Sequence, residues 1–380
     1  MSRPLLPITI LVAPDSFKGS LTSVDVARAL ADGWSRVRPD DTILLAPLAD
    51  GGEGTLVAIE ASGGWEWRQV PATDPLGRRI AARWLRSIDS KHAVVELAEA
   101  SGLSRLEADE LDPVGATTLG TGEVLRVVLD EGIREITLGI GGSATTDGGA
   151  GILRALGATI DDGLLDFSGL DPRLVEVALR IACDVSNPLL GERGAAATYG
   201  PQKGASPAQV AELDGRLARF AQQVRAATGR DERETPGAGA AGGTAFGLLS
   251  ITDRFRSLEL VPGVDVVMGE ADLEGKLAAA RLVLTGEGRI DAQTAYGKTA
   301  LGVARRAEAA GVPCIAVGGG VEPAGAAALA AIGAMAVPVS EGPMSVAEAM
   351  AAGTGPVDRC GERLARLIDL GGLLAVGSER

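Results

Sequence analysis

The chain is poor in the residues that build nucleic-acid, zinc and disulfide sites. Aromatic residues make up only 3% of its 380 residues and the formal net charge is −14, which argues against nucleic acid or an anionic membrane as a partner. Its three cysteines lie far apart without a CxxC pair, which favours a reducing, cytoplasmic location over a disulfide framework. The single histidine, His92, stands in the apolar run HAVVEL and is predicted to be structural.

Long apolar runs are also lacking. No stretch approaches the ~18 consecutive apolar residues that a transmembrane helix needs. The opening segment MSRPLLPITILVAP has one arginine and a short apolar run, as a signal peptide would, but it carries prolines and no small-residue cleavage site follows. We therefore predict a strand there. The chain is long enough for two or three domains, and 46% hydrophobic residues can fill their cores.

The first 50 residues follow a βαβ pattern. Residues 8–13 (ITILVA) are typical of a buried parallel strand, and Thr22 or Ser23 can cap the helix that follows. A second strand is predicted at residues 42–46. Each strand is followed by a proline and then an aspartate, at the sheet edge where open α/β sheets bind ligands.

The middle of the chain has a different pattern. Residues 80–97 alternate in polarity around the polar turn SIDSK, which predicts an antiparallel hairpin. Strand and helix patterns like those of the first 50 residues return at residues 280–285, 299–310 and 312–317. We therefore predict an α/β protein with a discontinuous Rossmann-like parallel-sheet domain, residues 1–72 plus 275–380. A mixed α/β domain, residues 73–274, is predicted to be inserted into it.

Glycine and lysine point to phosphate binding. The 53 glycines concentrate at residues 18–20, 50–54, 139–151, 201–205, 236–243 and 285–299. Of only five lysines, three (Lys18, Lys203 and Lys298) stand beside a glycine in these segments. Glycine-rich loops let backbone N–H groups approach phosphates, and lysine adds a point charge.

Two formal nucleotide motifs are incomplete. Gly297, Lys298 and Thr299 end a P-loop pattern, but Ala292 stands where its first glycine belongs. Gly237, Gly239 and Gly242 have dinucleotide-motif spacing, but the preceding RDERETP is not a strand. A phosphate role stays open for the first segment, and a nicotinamide site is not expected at the second.

Carboxylates in the same loops could hold Mg²⁺ or accept a proton from an attacking hydroxyl. Asp184 follows the apolar run RIAC, so it is predicted at a strand end. Each carboxylate could equally be a helix cap or a turn residue. The candidates are Asp15, Asp50, Glu53, Asp147, Asp184, Glu287 and Asp291.

Taken together, the loops resemble those of the type I glycerate kinases, and they do so in order over nearly the whole chain. The matching segments are residues 13–23 (APDSFKGSLTS), 47–55 (PLADGGEGT), 74–77 (DPLG), 120–123 (GTGE), 139–151, 182–191 (ACDVSNPLLG), 199–205 (YGPQKGA), 236–243, 285–299 and 341–344 (EGPM). The resemblance implies ATP, Mg²⁺ and D-glycerate as reactants, most often with transfer to the 2-hydroxyl. It also implies a flavodoxin-like domain, an inserted domain similar to restriction endonucleases, and a site in the cleft between them.

On this basis we predict the roles of individual residues. Lys18, Asp184 and Asp291 are the catalytic candidates, and either aspartate could be the base. Asp184 and Glu287 are the candidate Mg²⁺ ligands. Substrate contacts are predicted for Asp15, Ser16, Asp50, Glu53, Arg289 and Lys298, and ATP contacts for Gly141, Gly142, Ser143, Thr145 and Lys203.

Three other interpretations stay open at this point. The enzyme could phosphorylate the 3-hydroxyl, the protein could be a hydroxy-acid oxidoreductase, or it could bind ligands without turnover. A homodimer is a further possibility. The small-molecule substrate glycerate is the expected partner, and neither nucleic acid nor membrane is expected.

Overall fold

The computed structural model describes residues 6–49, 51–52, 54–161, 164–292, 299–342 and 345–377. The strands are β1 (Thr9–Pro14), β2 (Thr42–Leu45), β3 (Trp65–Thr73), β4 (Arg79–Ser87), β5 (His92–Glu96), β6 (Glu135–Gly139), β7 (Thr159–Asp161), β8 (Leu164–Asp166), β9 (Ala178–Ala182), β10 (Ser257–Val261), β11 (Leu282–Ile290), β12 (Cys314–Val321) and β13 (Met335–Pro338). The helices are α1 (Ser23–Val37), α2 (Thr55–Ala61), α3 (Ala98–Ser101), α4 (Leu119–Asp130), α5 (Ala150–Ala155), α6 (Ala195–Tyr199), α7 (Pro207–Thr228), α8 (Ala240–Leu249), α9 (Gly263–Glu270), α10 (Leu273–Ala279), α11 (Thr299–Ala309), α12 (Pro323–Ala330), α13 (Val346–Ala351) and α14 (Gly355–Gly377).

The chain forms two compact units. Unit 1 contains the described residues of 1–49, 57–63 and 267–380, and unit 2 those of 50–56 and 64–266. These boundaries lie at 63/64 and 266/267, whereas the sequence placed them at 72/73 and 274/275. The first difference has a clear cause: β3 pairs along its whole length with β4, so residues 65–73 belong to the sheet of unit 2.

Unit 1 is built on a five-stranded sheet with the order β13-β12-β11-β1-β2. Every neighbouring pair in it is parallel, as the βαβ pattern predicted. β1 is buried from its second residue onward, because its apolar side chains are covered on both faces of the sheet. The Thr22 hydroxyl accepts a hydrogen bond of 3.1 Å from the Asp25 N–H, so the predicted cap of α1 is confirmed.

Helices α1 and α14 pack together in unit 1 at very close range. A Cβ on Gly33 would lie 1.9 Å from the Asp358 carbonyl oxygen, and one on Gly361 would lie 2.4 Å from the Leu30 carbonyl oxygen. Only glycine therefore allows the two backbones this approach. Leu30 and Trp34 of α1 are completely buried in the core of unit 1.

Unit 2 is built on a six-stranded mixed sheet with the order β10-β9-β6-β5-β4-β3. The predicted hairpin is confirmed: β4 and β5 run antiparallel, with Leu85 opposite Val94. The strands β5, β6, β9 and β10 lie side by side in the sheet and run parallel. Their carboxyl ends therefore share one edge of the sheet. Within the described residues, no helix is both long and apolar enough to cross a membrane.

Candidate active site

In unit 1, Asp15 and Ser16 follow β1 at the carboxyl edge of the parallel sheet. The Asp15 N–H donates to the Gly286 carbonyl of β11 at 2.8 Å, which continues the strand pairing into the loop. One Asp15 carboxylate oxygen accepts from the Ser16 N–H at 2.6 Å, and the other accepts from the Thr299 hydroxyl at 2.7 Å. Ser16 follows β1 and Thr299 begins α11, so two separate parts of the chain hold the Asp15 carboxylate in one orientation.

Lys18 lies at the tip of a small hairpin directly after Asp15. Phe17 and Leu21 exchange two backbone hydrogen bonds of 2.9 and 3.0 Å, and Gly19 has the positive φ of +77° that the turn requires. The Phe17 side chain is buried while Lys18 is exposed. The apolar anchor thus holds the turn against the sheet and presents the lysine at its surface.

Three predicted residues lie at the end of β11 and just after it. Glu287 is 7% exposed, while the side chain of Arg289, two residues further along β11, is 69% exposed. The Arg289 guanidinium forms an ion pair with Glu322, with an Nε–Oε1 distance of 3.1 Å, and its Nε lies 3.9 Å from the Asp291 carboxylate. Much of the arginine's charge is therefore balanced within unit 1.

In unit 2, the glycine-rich loop that follows β6 is anchored at its start. The Gly142 carbonyl accepts from the Leu103 N–H at 2.8 Å, and the Ala144 N–H donates to the Ser101 carbonyl at 2.9 Å. Gly142 is exposed and Gly141 half-buried, but Ser143 and Thr145 are buried. The loop thus presents glycine backbone on its outer side and turns its hydroxyls inward.

Asp147 anchors the far end of the same loop. Its Oδ2 accepts from the Thr118 N–H at 2.9 Å, the Thr118 hydroxyl at 2.8 Å and the Gly151 N–H at 3.1 Å. Its Oδ1 accepts from the Gly149 N–H at 3.0 Å. These bonds assign a structural role to Asp147: it ties the loop to the start of α4 and α5.

Lys203 lies beneath the middle of the loop and is 2% exposed. Its Nζ donates to the Ser143 hydroxyl at 2.9 Å and to the Thr145 carbonyl at 2.6 Å. Burial lowers the pKa of Lys203 to about 7, against a smaller opposite effect from the Asp147 carboxylate. The lysine predicted to contact ATP therefore points its amine into the protein.

Asp184 lies just beyond β9, as predicted, and is exposed. One of its carboxylate oxygens accepts from the N–H of Gly263, the first residue of α9, at 2.8 Å. This bond orients the carboxylate at the carboxyl edge of the sheet in unit 2. The neighbouring Cys183 thiol has its pKa raised by burial, so it is not an activated nucleophile.

A magnesium site requires oxygen ligands, which carboxylates supply in proteins. Among the residues that the structure describes, no three or more His, Cys, Asp or Glu side chains come close enough together to hold a metal ion. Mg²⁺ in phosphoryl-transfer enzymes often needs only one or two carboxylates, because the phosphates and water supply the remaining oxygens. The exposed Asp184 carboxylate fits that requirement better than the buried Glu287 does.

Three predicted residues, Asp50, Glu53 and Lys298, lie outside the described residues. The structure adds the hydroxyls of Thr299 and Thr118, which orient Asp15 and Asp147. Thr299 ends the incomplete P-loop pattern, so the sequence contained a signal for it. Nothing in the sequence pattern singled out Thr118, because the contact joins residues 29 positions apart.

Two of the segments that resemble the family shape the β3–β4 hairpin of unit 2. The Glu123 carboxylate accepts from the Thr73 N–H at 2.7 Å and from the Thr73 hydroxyl at 3.0 Å. The Asp74 carboxylate accepts from the N–H groups of Leu76 and Arg78 at 2.9 and 2.8 Å. The segment DPLG thus forms the turn of this hairpin, and the segment GTGE, which lies in α4, holds the end of β3 through Glu123.

Comparison with known proteins agrees with the resemblance seen in the loops. The family described as the glycerate kinase family matches residues 10–369. The chain is 45% identical to a glycerate kinase of Halalkalibacterium halodurans, with 82% of this chain and 85% of that protein covered. It is 42% identical to the glycerate 2-kinase of Escherichia coli, with 82% and 84% covered.

The fold agrees as well. A crystal structure from Salmonella typhimurium LT2, assigned there as a glycerate kinase 2, matches with a TM-score of 0.83 and 37% identity. The match covers 97% of this chain and 100% of that one. The predicted α/β architecture is confirmed, and the chain belongs to the glycerate kinase family of enzymes.

Proposed function

We propose that this enzyme transfers the γ-phosphoryl group of ATP to the 2-hydroxyl of D-glycerate, giving 2-phosphoglycerate and ADP. The observation that carries the proposal is the match to the glycerate kinase family over residues 10–369. The choice of the 2-hydroxyl is supported by the 42% identity to the Escherichia coli glycerate 2-kinase. Transfer to the 3-hydroxyl is the alternative that the product analysis described below would reveal.

ATP phosphates are proposed to bind at the glycine-rich loop after β6. Gly141 and Gly142 lie on its accessible side, where backbone N–H groups can approach phosphate oxygens without a side chain in the way. Ser143, Thr145 and Lys203 form the buried layer under these glycines. We expect the two glycines to contact the nucleotide. The three residues of the buried layer should affect nucleotide binding only by holding the loop in its shape.

Glycerate is proposed to bind at the carboxyl edge of the sheet in unit 1. A protein with a net charge of −14 must supply a local cation for the glycerate carboxylate, and Lys18 is exposed at the tip of its hairpin. Asp15 and Ser16 lie in the same turn and can hydrogen-bond the hydroxyls of glycerate. Arg289, Asp50, Glu53 and Lys298 remain predicted contacts.

Mg²⁺ is proposed as the metal cofactor, with Asp184 as its best-fitting ligand. When bound, the ion would neutralise charge on the phosphate oxygens. Glu287 remains the second predicted ligand, and Asp184 and Asp291 both remain candidates for the base that accepts the hydroxyl proton. Because phosphoryl transfer depends mainly on positioning and charge stabilisation, we expect either role to be sensitive to removal of the carboxylate.

A coupled assay of ADP release tests the proposal. The wild-type protein is expected to release ADP from MgATP only when D-glycerate is present. Lys18→Met is expected to cut kcat/KM for glycerate by about 100-fold or more, in line with loss of a charge-assisted contact and of positioning. Lys91→Met is the matched control, since Lys91 is exposed at a hairpin turn and should leave turnover unchanged.

Several results would argue against this site or this activity. Unchanged turnover in Lys18→Met would remove Lys18 from the site. ADP release without dependence on glycerate, or none from folded protein, would contradict the proposed substrate. Binding of NAD(H) would revive the oxidoreductase interpretation.

A cytoplasmic location and a homodimer are also proposed. All three cysteines are present as thiols, which suits a reducing compartment such as the cytoplasm. A homodimer stays a prediction that light scattering during gel filtration would measure directly.

A further inference from the structure

We infer that Lys203 is a positioning residue that holds the phosphate-binding loop in its ATP-competent shape from beneath, without touching the nucleotide. The inference rests on the proposed function, because it assigns to this lysine a role at the proposed ATP site. It starts from the direction of the Lys203 amine. Both of its described partners, the Ser143 hydroxyl and the Thr145 carbonyl, belong to the loop itself.

The loop is attached at its start, in its middle and at its far end, and Lys203 supplies the middle attachment. Its start is fixed by the backbone contacts of Gly142 and Ala144 to the end of α3, and its far end by the Asp147 carboxylate. Between these ends, the Lys203 amine reaches one side chain and one backbone carbonyl. Removal of the amine should therefore release the middle of the loop while both ends stay in place.

The local backbone explains how a lysine comes to lie under the loop. Lys203 ends a single turn of 3-10 helix, Pro201–Lys203, directly after α6. Gly204 has a φ of +92° and donates its N–H to the Pro201 carbonyl at 3.1 Å, which closes the turn. The turn directs the long side chain inward, where it is almost completely buried.

The energetic cost of this arrangement suggests that it has a function. Burial of an ammonium group costs several kcal/mol even after relaxation, and an apolar side chain of similar length would avoid that cost. The charged group that faces Lys203 is Asp147, on the same loop. A buried amine with a strongly lowered pKa next to a glycine-rich loop is typical of a functional site.

The test measures MgATP binding by calorimetry, separately from turnover. Lys203→Met is expected to weaken MgATP binding about 10-fold while the KM for glycerate stays within about twofold. Ser143→Ala removes one of the two partners and is expected to weaken MgATP binding about threefold. The double variant should bind MgATP no more weakly than Lys203→Met alone, because both changes remove the same contact. Lys91→Met, which removes an exposed lysine from the same unit, should bind like wild type.

Hydrogen exchange supplies a second readout that does not depend on activity. In Lys203→Met, exchange should accelerate at residues 145 and 146. It should stay unchanged at Ala144, which Ser101 holds, and at Gly149 and Gly151, which Asp147 holds. If Lys203 instead contacts a phosphate directly, Ser143→Ala should bind MgATP with wild-type affinity, and hydrogen exchange of the loop should be unaltered in Lys203→Met. That result would overturn the inference.

Other results would also overturn it. Unchanged MgATP affinity in folded Lys203→Met would do so, as would an equal loss for ATP and glycerate with a lowered Tm. If Lys203→Met does not fold, Ser143→Ala carries the test on its own. Failure of the proposed function is distinguishable, since wild-type protein would then bind MgATP without glycerate-dependent turnover.

Discussion

Asp147 offers the sharpest test of how the glycine-rich loop is held. Its carboxylate accepts from the backbone N–H groups of Thr118, Gly149 and Gly151 at 2.9 to 3.1 Å. Asp147→Ala would leave these three donors without their acceptor at about 1 kcal/mol each, or about 3 kcal/mol in total. Asp147→Asn can keep the bonds at the Oδ2 position and lose only the one from Gly149, so its cost should be about 1 kcal/mol.

Hydrogen exchange measures this difference at the donors themselves. A local loss of about 3 kcal/mol corresponds to about 100-fold faster exchange at Gly149 and Gly151 in Asp147→Ala. Asp147→Asn should accelerate Gly149 only, by about fivefold. Wild-type exchange at both amides in Asp147→Ala would refute the assignment of Asp147 as the anchor of the loop. A loss in Asp147→Asn as large as in Asp147→Ala would show that the negative charge matters more than the hydrogen bonds do.

Three further predictions concern polar groups with hydrogen-bond partners inside the fold. The Lys276 amine donates to the carbonyls of Leu45, Ser62 and Ala271 at 2.6 to 2.9 Å, so Lys276→Met should destabilise the protein by about 3 kcal/mol in urea unfolding, and a loss under 1 kcal/mol would contradict this. Thr299→Val removes the donor to Asp15 and should raise the KM for glycerate about 10-fold, while Thr299→Ser should restore it; equal effects of the two variants would sink the idea. Between pH 7 and pH 10.5 the unfolded chain holds a proton on Lys203 that the folded chain lacks, since burial lowers its pKa to about 7. The unfolding free energy of wild type relative to Lys203→Met should therefore rise with pH across this window, by at most about 1.4 kcal/mol per pH unit, and a flat or falling difference would contradict the lowered pKa.

Local signals in the sequence were sufficient for much of unit 1. The β-branched run of β1, the Thr22 cap and the βαβ order depend on neighbouring residues, and the structure confirms all three. The long helix α14 was not predicted, because its sequence begins with Gly-Pro and contains a Gly-Gly pair. Its Gly361 serves close packing against α1, a long-range reason that no local pattern reveals.

The edge strand β3 shows a similar limit in unit 2. Its sequence WEWRQVPAT mixes charge, a proline and large side chains without a clear alternation, and it becomes a strand by pairing with β4. An edge position tolerates the proline, because one side of the strand needs no partner. The domain boundary was consequently predicted after this strand, whereas the structure divides the units before it.

The sequence indicates which residues belong to the candidate site better than it indicates where their side chains point. The strand-end positions of Asp15 and Asp184 follow from short apolar runs that end just before them. The glycine beside Lys203 indicated a phosphate loop, but sequence alone does not say whether an amine points outward or inward. That choice depends on residues 143 and 145, which lie about 60 positions away.

The regiochemistry of the product is the most direct test of the central proposal. Wild-type protein, MgATP and D-glycerate would be incubated to completion and the products identified by ³¹P NMR. The proposal predicts ADP and 2-phosphoglycerate in equal amounts. A signal from 3-phosphoglycerate would contradict transfer to the 2-hydroxyl, and the absence of any phosphoglycerate would contradict the proposed activity itself.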